Sequence, residues 1–284
     1  MARLAGVFAS SHAPLLVRGW EHIAAARKGR LAAAFAELGR RIARARPDVL
    51  IEIAPDHWVN FFIDNLPSVC IGVGEVHEGP PEPWMRDFPQ PRIAGHPRLA
   101  SHLLTAALER DFEPSVSHHM KLDHGFCIPL WKAGLDAIPA LVPIVINGLE
   151  PPMPTVRRCY AWGALLAEAI ATYPEDLRVA ILATGGLSHS IGEPTMGEID
   201  EAFDRECIRQ FESGSERALI EFLNEHLPRI GNGAAEVRSW VAAHGAAAGR
   251  GFELIDYGPV PEVYVGCGFA SWDLGTSAAE DNPR

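Results

Sequence analysis

Four short motifs carry side chains suited to metal or proton chemistry: Ser10-Ser11-His12-Ala13-Pro14, Pro55-Asp56-His57, Leu187-Ser188-His189-Ser190 and Gly231-Asn232-Gly233-Ala234-Ala235-Glu236. Each of the three histidine motifs follows a short apolar run, so the imidazoles are expected at strand ends, where open α/β sheets place ligand-binding groups. Two such histidines and one carboxylate make a face of three ligands that leaves the opposite positions of a metal open, the pattern of non-haem Fe(II) oxygenases. Open positions point to oxygen chemistry rather than to a structural metal.

Each residue also has a plainer reading. His12 can cap a backbone group in a turn. Asp56 can fix the tautomer of His57, or it can simply form the Pro55-Asp56-His57-Trp58 turn. His189 follows Thr184-Gly185-Gly186, which aims it outward from a strand, and alone it reads as a polar loop residue. Glu236 stands at the start of an expected helix, where the macrodipole favours a carboxylate and a capping role would suffice. A fifth segment, Ser117 to Leu130, packs His118, His119 and His124 into seven residues. Its Asp123-His124-Gly125 reads as a turn entering buried structure, and His118 and His119 as solvated loop.

The elements that must position these groups alternate along the chain. Strands are expected at Leu4–Ala9, Val49–Ala54, Val69–Val73, Ala140–Ile146, Val179–Thr184, Gly251–Tyr257 and Val263–Phe269. The Ala-, Leu- and Arg-rich stretch of about 20–45, closed by Pro47, has the spacing of a crossover helix between two strands. Further helices are expected near 97–110, 155–173, 197–212, 216–226 and 234–246. This strand-helix recurrence favours α/β layering. The Pro-rich stretch 79–97 is long for a connector, and such loops are usually functional or mobile. No internal repeat divides the chain, so one large domain over 1–274 is expected, with 275–284 as a flexible tail. Trp58, Phe61, Phe62 and Trp240 are read as core in preference to pocket lining.

Composition removes several classes. A chain of 284 residues that is 48% hydrophobic can bury a large core. A net charge of −11 without a long Lys/Arg block argues against nucleic acid or an anionic membrane as partner. Five dispersed cysteines with no CxxC pair suggest neither a disulfide framework nor a thiolate site. With no leader-like segment and no membrane-length apolar run, the chain is expected to be soluble and cytoplasmic.

Taken in order, Ser11-His12-Ala13-Pro14, Pro55-Asp56-His57, Leu122-Asp123-His124-Gly125, Gly186-Leu187-Ser188-His189 and Gly231-Asn232-Gly233-Ala234-Ala235-Glu236 resemble the class III extradiol ring-cleavage dioxygenases, with the catalytic (β) subunit of protocatechuate 4,5-dioxygenase as the type. The resemblance spans nearly the whole chain. It implies a three-layer αβα fold with a mixed central sheet, Fe(II) bound by His12, His57 and Glu236, His189 as the acid/base residue beside the substrate hydroxyl, and His124 as a second pocket histidine. It implies a catecholic substrate and O2 as reactants and a homo- or hetero-oligomer.

The substrate expected first is a catecholic acid such as protocatechuate or gallate, with 2,3-dihydroxyphenylpropionate- or 2-aminophenol-type cleavage as the alternative. A ring carboxylate needs a cation, for which Arg86, Arg92, Arg98 and Lys121 are the candidates. In the type enzyme a small α subunit covers the active site; either such a partner exists here or the 79–97 stretch acts as the lid. A Memo-like metal-binding non-oxygenase and a zinc hydrolase are the competing classes; retention of His124, His189 and Glu236 together argues against the first.

Overall fold

Apolar runs separated by amphipathic stretches fold in the alternating order that their spacing dictates. The computed structural model describes residues 1–135 and 138–275. Within them lie β1 (Arg3–Ser10), α1 (Leu15–Arg18), α2 (Ala25–Ala45), β2 (Val49–Ala54), β3 (Val69–Gly72), β4 (Val76–Glu78), β5 (Arg92–Ala94), α3 (Pro97–Leu108), β6 (Ser115–Ser117), α4 (His124–Lys132), β7 (Ala140–Ile146), α5 (Val156–Thr172), β8 (Arg178–Thr184), α6 (Glu201–Ser213), α7 (Glu216–His226), α8 (Val237–Ala246), β9 (Phe252–Val260) and β10 (Val265–Trp272). Of the tail expected at 275–284, all but Gly275 lies outside the described residues.

The main sheet has the order β6-β3-β7-β2-β8-β1-β10-β9. Its centre, β7-β2-β8-β1, is parallel, while β3 against β7 and β10 against β1 run antiparallel. The sheet is therefore mixed, as expected. Side chains that alternate along each strand feed two separate cores. On β2, Val49, Ile51 and Ile53 join the core that includes residues of α3, α5, α7 and α8, and Leu50 and Ala54 join the core that includes α2 and α4. Two apolar cores on opposite faces of one sheet make three layers.

Strand order positions the chemistry. β1 and β2 are joined through α2, but β8 lies between them. The register sets Ser10 beside Thr184 and Ala183 beside Ile53, so the three parallel strands end level. The turns that carry His12, His57 and His189 thus leave one edge of the sheet side by side.

Three places differ from the sequence reading or narrow it. Asp123-His124-Gly125, read as a turn entering buried structure, instead starts the helix α4, because Asp123 caps it by accepting from Gly125 N and Pro129 falls within it without breaking it. The 79–97 stretch is anchored, with Met85 and Phe88 buried and Arg92–Ala94 paired to Val76–Glu78. Trp240 is buried core, but Trp58 and Phe62 are exposed, 41% and 52%, rather than core. No described helix is long and apolar enough to cross a membrane, and all five cysteines are free and buried.

Candidate active site

His12 lies two residues beyond β1 and is nearly fully buried. Thr184 at the end of β8 donates its hydroxyl proton to Gly125 O (2.8 Å), so it can only accept from His12 Nδ1, 3.0 Å away. Nδ1 therefore carries the proton, and Nε2, which has no hydrogen-bond partner, holds a free lone pair. Burial lowers the pKa of this ring to about 4, against the opposing charge of Glu236.

His57 is fixed by Asp123, which accepts from both its backbone N (2.7 Å) and its Nδ1 (3.0 Å). Asp56 instead accepts from the backbone N–H groups of Val59, Asn60 and Phe61 and from Asn60 Nδ2, which makes it the turn former of the two readings. His57 Nε2 faces Glu236 Oε1 at 3.3 Å. Burial opposes a charge on this ring, but the two carboxylates outweigh it and lift its pKa to about 10.

Glu236 closes the 3-10 turn Asn232–Glu236 just before α8 and makes no capping hydrogen bond. Its Oε2 accepts from Gly186 N (2.7 Å) and lies 3.4 Å from His12 Nε2. Burial would raise its pKa, yet the neighbouring His12 and His189 hold it well below the usual carboxylate range. This approach depends on Gly185, whose φ of +126° suits only glycine and whose absent Cβ would sit 2.7 Å from Glu236 Cβ.

His189 is buried rather than aimed outward. Its Nδ1 donates to Leu187 O (2.9 Å), leaving Nε2 free and 3.9 Å from Glu236 Oε1. Gly233 makes room for the ring, because a Cβ there would lie 2.1 Å from His189 Nε2. On the other side, His124 begins α4, with its Nδ1 donating to Glu82 Oε1 (2.8 Å) and its buried Nε2 unpartnered. The His124 ring lies 4.0 Å from that of His57 and 5.7 Å from that of His12. His118 and His119 are exposed, as the loop reading expects.

The structure thus brings together all five side chains singled out in the sequence. Each of the four rings has Nδ1 held by an oxygen partner and turns Nε2 inward, the way outer partners orient histidine ligands. Within the described residues, the ligand atoms of His12, His57 and His124 also lie within 4.8 Å of one another, so His124 borders the same space as Glu236. Donors of this kind, two or three imidazole nitrogens with one carboxylate, fit a divalent transition metal.

Sequence reading did not assign roles to Asp123, Glu82, Thr184 and Gly233. Asp123 carried the signal of a helix cap, and Glu82 only that of lying in a long proline-rich connector. Of the candidate cations, Arg92 pairs with Glu78 and Arg98 with Glu175, and both arginines are exposed.

Residues 6–266 match the family described as the catalytic LigB subunit of aromatic ring-opening dioxygenase. The chain belongs to this family. It is accordingly an extradiol-type ring-cleaving dioxygenase, metal-dependent like the rest of the LigB family, with a catecholic substrate and O2 as reactants. Among curated relatives, a 2,3-dihydroxyphenylpropionate/2,3-dihydroxicinnamic acid 1,2-dioxygenase of Klebsiella pneumoniae is 29% identical, with 83% of this chain and 88% of the relative covered. An enzyme of the same name from Paraburkholderia phymatum is 30% identical over 81% of this chain and 87% of its own length. A third, from Escherichia coli K12, is also 30% identical, over 81% and 87%. The fold is shared with the crystal structure of an uncharacterized protein from Escherichia coli K12, with a TM-score of 0.62, 14% identity and coverage of 94% and 99%. These relatives favour the alternative substrate class over the protocatechuate or gallate class expected first.

Proposed function

We propose that this LigB-family enzyme uses Fe(II), held by His12, His57 and Glu236, to cleave a catechol bearing a short carboxylated side chain, of the 2,3-dihydroxyphenylpropionate type. The observation that carries the metal assignment is the convergence of the buried, unpartnered Nε2 of His12 and of His57 Nε2 on the two oxygens of Glu236, with Oε2 fixed by Gly186 N. The substrate class is supported by the relatives, which carry that name over most of their length.

When bound, Fe(II) would supply a Lewis acid for the catechol oxygens and a conduit for electron density to O2. The chain's own residues handle the protons. Because His189 donates Nδ1–H to Leu187 O, Nε2 is the atom that accepts the hydroxyl proton, and imidazole is suited to this near neutral pH. His124, whose Nδ1–H is taken by Glu82, presents Nε2 from the opposite side as the group that hydrogen-bonds reacting oxygen or returns a proton to it. In the balanced reaction the ring bond beside the diol breaks, and both atoms of O2 enter the product, one in a carboxylate and one in a carbonyl. Burial of His12, His124, His189 and Glu236 keeps bulk water from the reacting groups.

The test is oxygen uptake by enzyme loaded with Fe(II) without air, offered 2,3-dihydroxyphenylpropionate, protocatechuate, gallate and 2-aminophenol in turn. One O2 consumed per 2,3-dihydroxyphenylpropionate, with a yellow ring-opened product, is the expected result. Preference for protocatechuate or gallate would overturn the substrate class, and equal activity with Zn(II) in place of Fe(II) would overturn the metal.

A further inference from the structure

We propose that Arg18 and Trp84 form an outer subsite for the carboxylated side chain of the substrate, with Arg18 as the residue that selects the anion. The proposal rests on the reading of the enzyme as a dioxygenase for a carboxylated catechol.

Two independent routes bring Arg18 to the site. Along the chain, it closes α1, the single helical turn that starts three residues after His12. Across the fold, its guanidinium carbon lies 5.7 Å from the centroid of the Trp84 ring, and that ring lies 5.7 Å from the ring of His124. Trp84 is half-buried and held from both sides, since Glu82 takes the backbone N and Nδ1 of His124 and Met85 is fully buried. The cation is thus two ring-to-ring steps from the histidine cluster, with an aromatic face between.

The chemistry matches an arylalkanoate. With the diol at the histidines, a short aliphatic arm would run along the indole, and its carboxylate would meet the guanidinium, whose parallel N–H groups match two carboxylate oxygens. Stacking on Trp84 limits the side-chain freedom that binding would otherwise remove.

Several other cations are engaged or lie elsewhere. Arg27 pairs with Glu262, Arg92 with Glu78 and Arg98 with Glu175, and Arg229 lines a cavity of about 310 Å³ on the side of His189. Among the described residues, Arg18 rests on Trp84 and pairs with no carboxylate. Glu82, the acid next to Trp84 in the chain, has one oxygen committed to His124.

The experiment compares 3-(2,3-dihydroxyphenyl)propionate with 3-propylcatechol, which has the same arm without the charge, in the wild type, Arg18→Gln, Arg18→Lys and Arg229→Gln. Turnover is measured in air, and dissociation constants by anaerobic titration of the Fe(II) enzyme. Arg18→Gln should lower the preference for the propionate, as a ratio of kcat/KM and of affinities, by about ten- to hundredfold, through KM rather than kcat. Arg18→Lys should recover part of it, and Arg229→Gln should keep the wild-type ratio. An unchanged ratio in Arg18→Gln, or collapse of the ratio in Arg229→Gln instead, would overturn the proposal. Binding that depends on Arg18 without any oxygen uptake would refute the proposed reaction and leave the subsite standing; oxygen uptake indifferent to Arg18 would do the reverse.

Discussion

Replacing Gly233 with alanine should silence the enzyme while leaving it folded and metal-loaded. The missing Cβ of Gly233 would lie 2.1, 2.3 and 2.4 Å from Nε2, Cδ2 and Cε1 of His189. Non-bonded carbon contacts settle near ~3.5 Å or beyond, so the imidazole must retreat by more than about 1 Å. A displacement of about 1 Å in a reacting group can cost on the order of a hundredfold in rate, and loss of general-base function altogether costs about 10²–10⁴. The backbone itself accepts alanine, because Gly233 lies in a 3-10 turn without a positive φ. Alanine there gains up to ~1 kcal/mol of helical preference, against ~0.5–1.5 kcal/mol if His189 loses its bond to Leu187 O. Those terms nearly cancel, so thermal unfolding should move by only a few degrees. The assay is oxygen uptake on the best substrate together with bound iron and Tm. Turnover within a few-fold of wild type would refute the reasoning, since it would mean that the position of His189 over Gly233 has no part in the reaction.

Other consequences follow from the same geometry. His12→Ala and Glu236→Ala should each abolish iron retention, whereas His189→Ala should keep iron and lose turnover; loss of iron from His189→Ala, measured by metal analysis after desalting, would invert the division of roles. Asp123→Asn removes the carboxylate that orients His57 through Nδ1 and backbone N, and an outer partner of this kind is worth about 10–100-fold in metal affinity, to be read by competition with a chelator. His244 is buried with Nδ1 accepting from Trp272 Nε1 at 2.8 Å, and burial lowers its pKa from 6.5 to about 4. The unfolded chain therefore takes up this proton first. The stability that neutral His244 contributes is complete above pH 6.5 and is lost as pH falls toward 4, with a slope near ~1.4 kcal/mol per pH unit. Urea unfolding between pH 6.5 and 4.5 should show a shallower slope for His244→Gln, and an identical slope would show that His244 does not titrate in this range.

The strands were legible because their apolar runs are short and bounded by turn residues. Val49–Ala54 and Ala140–Ile146 coincide with β2 and β7, and Glu216–His226 coincides with α7. The elements that escaped were those held by distant contacts rather than local pattern. β4 and β5 are three residues each and, among the described residues, form a two-stranded sheet of their own, and α4 contains Pro129 and little amphipathic contrast.

For the site, the sequence determined the chemical inventory and its rough placement: strand-end histidines, a carboxylate behind Gly-Asn-Gly, and the paired glycines after β8. Those are local facts, set by residue type, turn chemistry and period. The tertiary structure decided which groups serve which. Insertion of β8 between β1 and β2 puts Thr184 against His12 across 172 residues of chain. The start of α4 delivers Asp123 to His57, which frees Asp56 to build its own turn, and the proline-rich stretch delivers Glu82 to His124 and Trp84 to Arg18. Such pairings depend on strand order and register, which arise from the burial of two whole sheet faces at once, and no window of neighbouring residues contains that information.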